Sequence, residues 1–150
     1  MSDIYSQAVN SLPGRVIAPR LGLPRPIELE RHEAGAPVVS GPVLVGAAPG
    51  GRLTERLKEL LTEIGGGAPT GPEEPVKALV FDATGISDST ELVELQRFFH
   101  PNVKRIARCG RVIVLGTPPA GRPAREATAQ RASGPFAFST QARVRATPPS

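Results

Sequence analysis

Three apolar runs, each too short to make a helix, alternate with two stretches that carry a helical stripe. The runs are Val43-Leu44-Val45, Ala78 to Phe81 within "VKALVFDATG", and residues 111–116, "RVIVLG". Unbroken apolar strands of this kind are covered on both faces, and parallel neighbours need a crossover between them. In the first stretch Leu53, Leu57, Leu60, Leu61 and Ile64 recur at one helical face. Arg56, Lys58, Glu59 and Glu63 fall mostly outside that face. Gly65-Gly66-Gly67 ends the helix with residues that tolerate a left-handed backbone. In the second, Ser87, Asp88 or Ser89 caps, and Glu91 stands where a capping-box acid reaches back to Asp88. Leu92, Leu95, Phe98 and Phe99 form its inner face. His100-Pro101 is expected to kink or restart that helix, with Val103, Ile106 and Ala107 carrying the face to Gly110. Strand, helix, strand, helix, strand predicts right-handed crossovers and a parallel sheet between helix layers.

Outside this segment the sequence changes character. The 150 residues suit one domain, and 17 Pro with 16 Gly exceed a fifth of them. Residues 1–40 read as an N-terminal arm: Ser2 or Asp3 caps a short helix with Ile4, Tyr5 and Val9 on one side, stopped by Pro13-Gly14. Residues 41–132 hold the α/β domain. Residues 133–150 show neither a stripe nor strand alternation and no acid, and are expected to be disordered. Of the net charge of +4, the three arginines Arg131, Arg143 and Arg145 supply most. The basic balance therefore belongs to residues 127–150, where the arginines lack a regular aromatic interleaving, which argues against a nucleic-acid partner. One cysteine, Cys109, excludes an internal disulfide, and His32 and His100 are too isolated for a metal site. The absence of a long apolar run and of a signal-like N-terminus points to the cytoplasm and away from a membrane.

The turn between the first strand and helix, Gly46-Ala47-Ala48-Pro49-Gly50-Gly51, is where a dinucleotide fold would cradle a pyrophosphate. The candidate cofactor-binding residues are Gly46, Gly50 and Gly51, with Asp82 as the acid at a strand end. The pattern is neither GxGxxG nor a P-loop, and Pro49 removes one backbone donor. Asp82 also lies farther along than the ribose-binding acid of such folds. A tight turn with no ligand is the simpler reading. Asp82 and Asp88 would form a carboxylate pair, but Asp88 is better explained as a cap.

Several segments together carry a resemblance: "SQAVNS", "LGLPRP", "GPVLVGAAPGGRL", "FDATGI" and "LQRFFHPNVKRIARCGRVIVLG". Over residues 5 to about 132 the chain resembles the N-terminal domain of the long, actinobacterial-type 3-oxoacyl-[acyl-carrier-protein] reductases, which belong to the short-chain dehydrogenase/reductase family. The resemblance implies a three-layer, Rossmann- or flavodoxin-like parallel sheet, here incomplete. It also implies that catalysis belongs to a second domain. Aligning "ATAQRA" with the family's Tyr-x-x-x-Lys-Ala places Ala127 at the tyrosine and Arg131 at the lysine, with Thr117 near the serine that holds the substrate carbonyl. Tyr5 is followed by Val9 where a lysine is needed. No catalytic residue is therefore expected. The implied role is structural, with no cofactor and with a reductase domain or a second copy as partner. The alternative is an NAD(P)-dependent oxidoreductase of fatty-acid metabolism that keeps a nucleotide in the turn. Lys104, Arg105 and Arg108 would meet an acidic carrier in a working reductase; a solvated helix end complementing the dipole is the simpler reading. The family continues past residue 132 as a helix, whereas "SGPFAFSTQARVRATPPS" reads as the product of a shifted frame.

Overall fold

Strands β1 (Val43–Ala47), β2 (Val76–Asp82) and β3 (Ile106–Leu115) lie parallel and in chain order in a single open sheet. They belong to a computed structural model that describes residues 33–134. The arm at residues 1–32, His32 and Tyr5 included, and the tail from residue 135 lie outside the described residues. The register sets Val45 beside Val80 and Val80 beside Ile113; two residues on, Ala47, Asp82 and Leu115 stand abreast.

Side-chain alternation divides the sheet into two faces. One carries Val43, Val45, Ala78, Val80 and Leu115 and receives Leu57 and Leu61 of helix α1 (Thr54–Glu63). The other carries Leu79 and Phe81, with Val112 and Val114. It packs on Leu95 and Phe99 of helix α2 (Val93–Asn102) and on Ala129 of the helical residues 124–134, here called α3. The result is the expected three-layer α/β arrangement. Phe81, Phe98 and Phe99 cluster on this second face, with ring centroids 5.0–6.0 Å apart in tilted and edge-on pairs.

Crossover handedness departs from the expectation. Both crossovers step the same way across the sheet, yet α1 and α2 cover opposite faces. Two such crossovers have opposite hands, so only one has the usual right-handed form. The segment after α1 makes this feasible. Gly65 has φ 90°, and the chain passes β1 closely enough for the Gly67 carbonyl to accept the Val43 N–H at 2.8 Å before it reaches β2.

The second helix is shorter than its apolar face suggested. Pro101 sits in its last turn, and the Asn102 side chain donates to the Phe98 carbonyl at 2.7 Å. A 3₁₀ turn at Val103–Arg105 follows, and β3 begins at Ile106, not at residue 111. The register explains the difference. Val76 pairs with Ile106 but Ala78 pairs with Arg111, so residues 107–110 form a bulge. Cys109 takes φ 58° there, half-buried inside a strand and not at a helix end. Arg105 is not a solvated helix terminus either: it donates to the Glu74 and Gly71 carbonyls and to Asn102, fastening the approach to β2. Lys104 and Arg108 remain exposed.

Candidate functional site

In an open α/β sheet ligands bind beyond the carboxyl ends of the strands. Here that edge is formed by the 46–51 turn after β1, the 82–86 loop after β2 and the 115–117 segment after β3. Backbone hydrogen bonds tie the three together. Ala48 N–H donates to the Asp82 carbonyl at 2.9 Å, and Ala83 N–H donates to the Leu115 carbonyl at 2.8 Å.

Asp82 is the centre of the edge. It is 0% exposed, and its carboxylate accepts four hydrogen bonds. One oxygen takes the Leu53 N–H at 2.7 Å and the Thr54 hydroxyl at 3.0 Å. The other takes the Thr84 N–H at 3.0 Å and the Thr84 hydroxyl at 2.6 Å. Burial pushes the Asp82 carboxyl up, but the bonds from Thr84, Leu53 and Thr54 outweigh it and hold the group below its ordinary value. The Leu53 amide and Thr54 stand at the start of α1, where a dinucleotide fold presents its donors to phosphate. In this chain the protein's own carboxylate fills that position. With all four of its hydrogen bonds committed, Asp82 is an anchor and has no free lone pair with which to take a proton or a ribose hydroxyl.

The three candidate glycines serve packing at the same place. A Cβ on Gly46 would lie 2.3 Å from the Phe98 ring, so its bareness admits α2. A Cβ on Gly51 would lie 2.8 Å from the Asp82 carboxylate. Gly50 turns the chain with φ 74°. Its backbone presses on Gly85, where a Cβ would come within 2.2 Å of the Pro49 carbonyl oxygen. Gly46, Gly50, Gly51 and Asp82 are thus brought together, with the 82–86 loop packed against the turn.

A second layer of polar groups was not legible in the sequence. Arg52 donates its N–H to the Thr84 hydroxyl at 2.9 Å and its guanidinium to the Thr117 hydroxyl at 2.6 Å. Thr117 N–H donates to the Gln130 side-chain oxygen at 2.8 Å. The Gln130 amide in turn donates to the carbonyls of Ala83 at 2.9 Å and Ile86 at 2.7 Å. Gln130 therefore pins α3 to the strand ends. Replacing it with leucine should lower the unfolding free energy by about 2 kcal/mol, because three backbone groups lose their partner in a dry place. Chemical denaturation of the variant checks this, and a loss below about 0.5 kcal/mol would remove Gln130 from the account.

The positions that the resemblance singled out fall as follows. Thr117 is buried with its hydroxyl engaged, Ala127 is 7% exposed, and Arg131 is exposed. Asp88 is a cap, as its spacing suggested. It accepts from Thr90 while Glu91 reaches back to the Asp88 N–H, and Arg125 forms an ion pair with it. The Arg125 and Thr90 bonds hold Asp88 well below the usual carboxylate range. Asp82 and Asp88 do not act as a pair.

Cavity size points elsewhere. A groove of about 630 Å³ at the amino ends of the strands is lined by Pro72, Pro75, Pro101, Asn102 and Ile106. It contains none of the residues gathered at the carboxyl edge, and the chemistry of that edge outweighs volume as a guide. Among the described residues no three His, Cys, Asp or Glu side chains converge as metal ligands, and no helix is long and apolar enough to cross a membrane. No family model matches the chain, and no curated protein matches it.

Proposed function

We propose that this chain is a non-catalytic α/β module of the kind that precedes the catalytic domain in long 3-oxoacyl-[acyl-carrier-protein] reductases. Its task is to pack and assemble with a reductase domain or with a second copy, in the cytoplasm. The observation that carries this reading is the Asp82 carboxylate at the start of α1, accepting the Leu53 N–H at 2.7 Å where a cofactor phosphate would need that donor. A bound pyrophosphate would face a buried anion at close range, which is repulsive in a site of low dielectric. The methyl group of Ala127, where the resembling enzymes carry their proton donor, supports the same reading.

One observation favours the NAD(P)-dependent alternative. Arg52 is exposed at this edge and has no acidic partner among the described residues. A guanidinium held by Thr117 is a serviceable phosphate contact. Isothermal titration with NADH and NADPH separates the two readings. The structural reading expects no heat of binding up to about 1 mM ligand, an affinity weaker than about −4 kcal/mol. It also expects no loss of nicotinamide absorbance with an acetoacetyl substrate. Micromolar binding that is lost in Arg52→Ala would overturn it in favour of the alternative.

A further inference from the structure

The apolar stripe of α1 is only half used by its own sheet. Leu57 and Leu61 point inward, whereas Leu53, Leu60 and Ile64 are 41%, 40% and 37% exposed. No residue of α1 is fully buried. Among the described residues the sheet face beneath carries one helix for three strands, and Ile113, in register with Val80 on that face, is 39% exposed. Val38 and Pro37, beside Ile64 and Gly65, lengthen the apolar surface. Singly exposed apolar residues need no explanation, but four along one face do.

The spacing says what fits. Leu53, Leu57, Leu60 and Ile64 are separated by four, three and four residues, the a/d repeat of a helix that packs against another helix. On the exposed flank of that stripe lie Arg56 and Glu63, seven residues apart and opposite in charge. A second copy of α1 laid antiparallel across a two-fold axis would set Leu53 against the partner's Ile64 and Ile64 against the partner's Leu53, with the two Leu60 side chains near the axis. The same operation brings Arg56 to the partner's Glu63 and Glu63 to the partner's Arg56. An isologous contact must be complementary to itself, and this flank is. Among the described residues Arg56 is engaged only with Glu59, in a pair more than 60% exposed on both sides, so it exchanges partners at little cost.

We infer that this chain forms a two-fold dimer through antiparallel packing of α1 on α1, sealed by reciprocal Arg56–Glu63 ion pairs. This rests on the assembly role proposed above and commits it to a second copy. It does not depend on whether the glycine turn binds a nucleotide.

Sedimentation equilibrium of the full chain tests it without any cofactor. The expected result is a reversible dimer. Leu60→Glu should raise its dissociation constant at least about tenfold, since it places charge in the contact. Leu60 is exposed enough that the variant should keep the parent's circular dichroism and melting temperature. Arg56→Glu and Glu63→Arg should each weaken the dimer, and the double variant R56E/E63R should restore it, because the swap regenerates both pairs. A chain that stays monomeric would overturn the inference and leave the stripe to a separately supplied reductase domain. A dimer indifferent to Leu60→Glu, or a double variant no better than the singles, would equally overturn it. None of these outcomes bears on cofactor binding, so the non-catalytic reading stands or falls separately by titration.

Discussion

Asp82→Ala should lower the unfolding free energy by about 3–5 kcal/mol, enough to leave a domain of this size barely folded. Four donors lose their acceptor at once: the amides of Leu53 and Thr84 and the hydroxyls of Thr54 and Thr84. The turn, the start of α1 and the loop after β2 all meet on this one group, so water cannot replace it without opening the edge. Asp82→Asn should cost nearly as much. One of its two terminal atoms would be an NH₂ facing donors, and the negative charge at the start of α1 would be gone. Urea unfolding of both variants against the parent measures the effect. A loss below about 1 kcal/mol for alanine would mean that the carboxylate does not organise the edge.

Acid should act through the same residue. Asp82 and Asp88 are both held below the ordinary carboxylate value in the folded chain. A group depressed on folding contributes stability that is fully present above its unfolded value. That stability is lost as pH falls through the folded one. Stability should therefore be flat from neutral pH down to about 5 and decline below about 4. In Asp82→Asn the decline should be shallower, because the Asp82 part is gone while Asp88 and Glu74, also held below its ordinary value by bonds from Thr70, still contribute.

How much of this could be read from the residues depends on the range of the forces involved. The three strands, α1 and the Asp88–Glu91 capping box were legible because each is set by neighbours a few positions away: apolar periodicity, a capping pair, a run of glycines. The start of β3 was not. Val103, Ile106 and Ala107 suit a helix by spacing, and only pairing with β2 makes 106–110 a bulged strand. Crossover handedness was missed for a related reason, since it depends on how the chain returns past the start of β1, where Gly67 accepts the Val43 N–H. At the site, the glycines and Asp82 stood together as candidate cofactor contacts, with a tight turn and no ligand as the simpler reading. Their common purpose shows only when Asp82 is seen at the start of α1, 28 to 29 residues away in sequence. Thr84 had a local signal, a hydroxyl two residues after an aspartate that competes for backbone donors. Arg52 and Gln130 had none. They reach the edge across sequence separations of 65 and 47 residues, and nothing adjacent to them marks that.

Gly85→Ala should be the most damaging change of a single methyl group, costing about 2–4 kcal/mol. The position needs room more than backbone freedom, since its φ is outside the left-handed region. A Cβ there would stand 2.2 Å from the Pro49 carbonyl oxygen, 2.6 Å from the Gly50 carbonyl carbon and 2.7 Å from the Gly51 nitrogen. All three are main-chain atoms, so no side chain can swing aside. The turn itself must move, and moving it draws Gly51 and Leu53 away from Asp82. The damage should then be non-additive: in an Asp82→Ala background the second substitution should cost measurably less, because the bonds it would break are already absent. Gly67→Ala and Gly71→Ala supply the controls, as a Cβ at either meets nothing within 4 Å. Both should change stability by no more than about 0.5 kcal/mol. Thermal melts of these five variants, the Asp82→Ala single and double included, decide the matter. If Gly85→Ala melts with the controls, the turn and the loop are not in contact. The space between them would then be wide enough for a ligand, and the case for a sealed edge would fail at its tightest point.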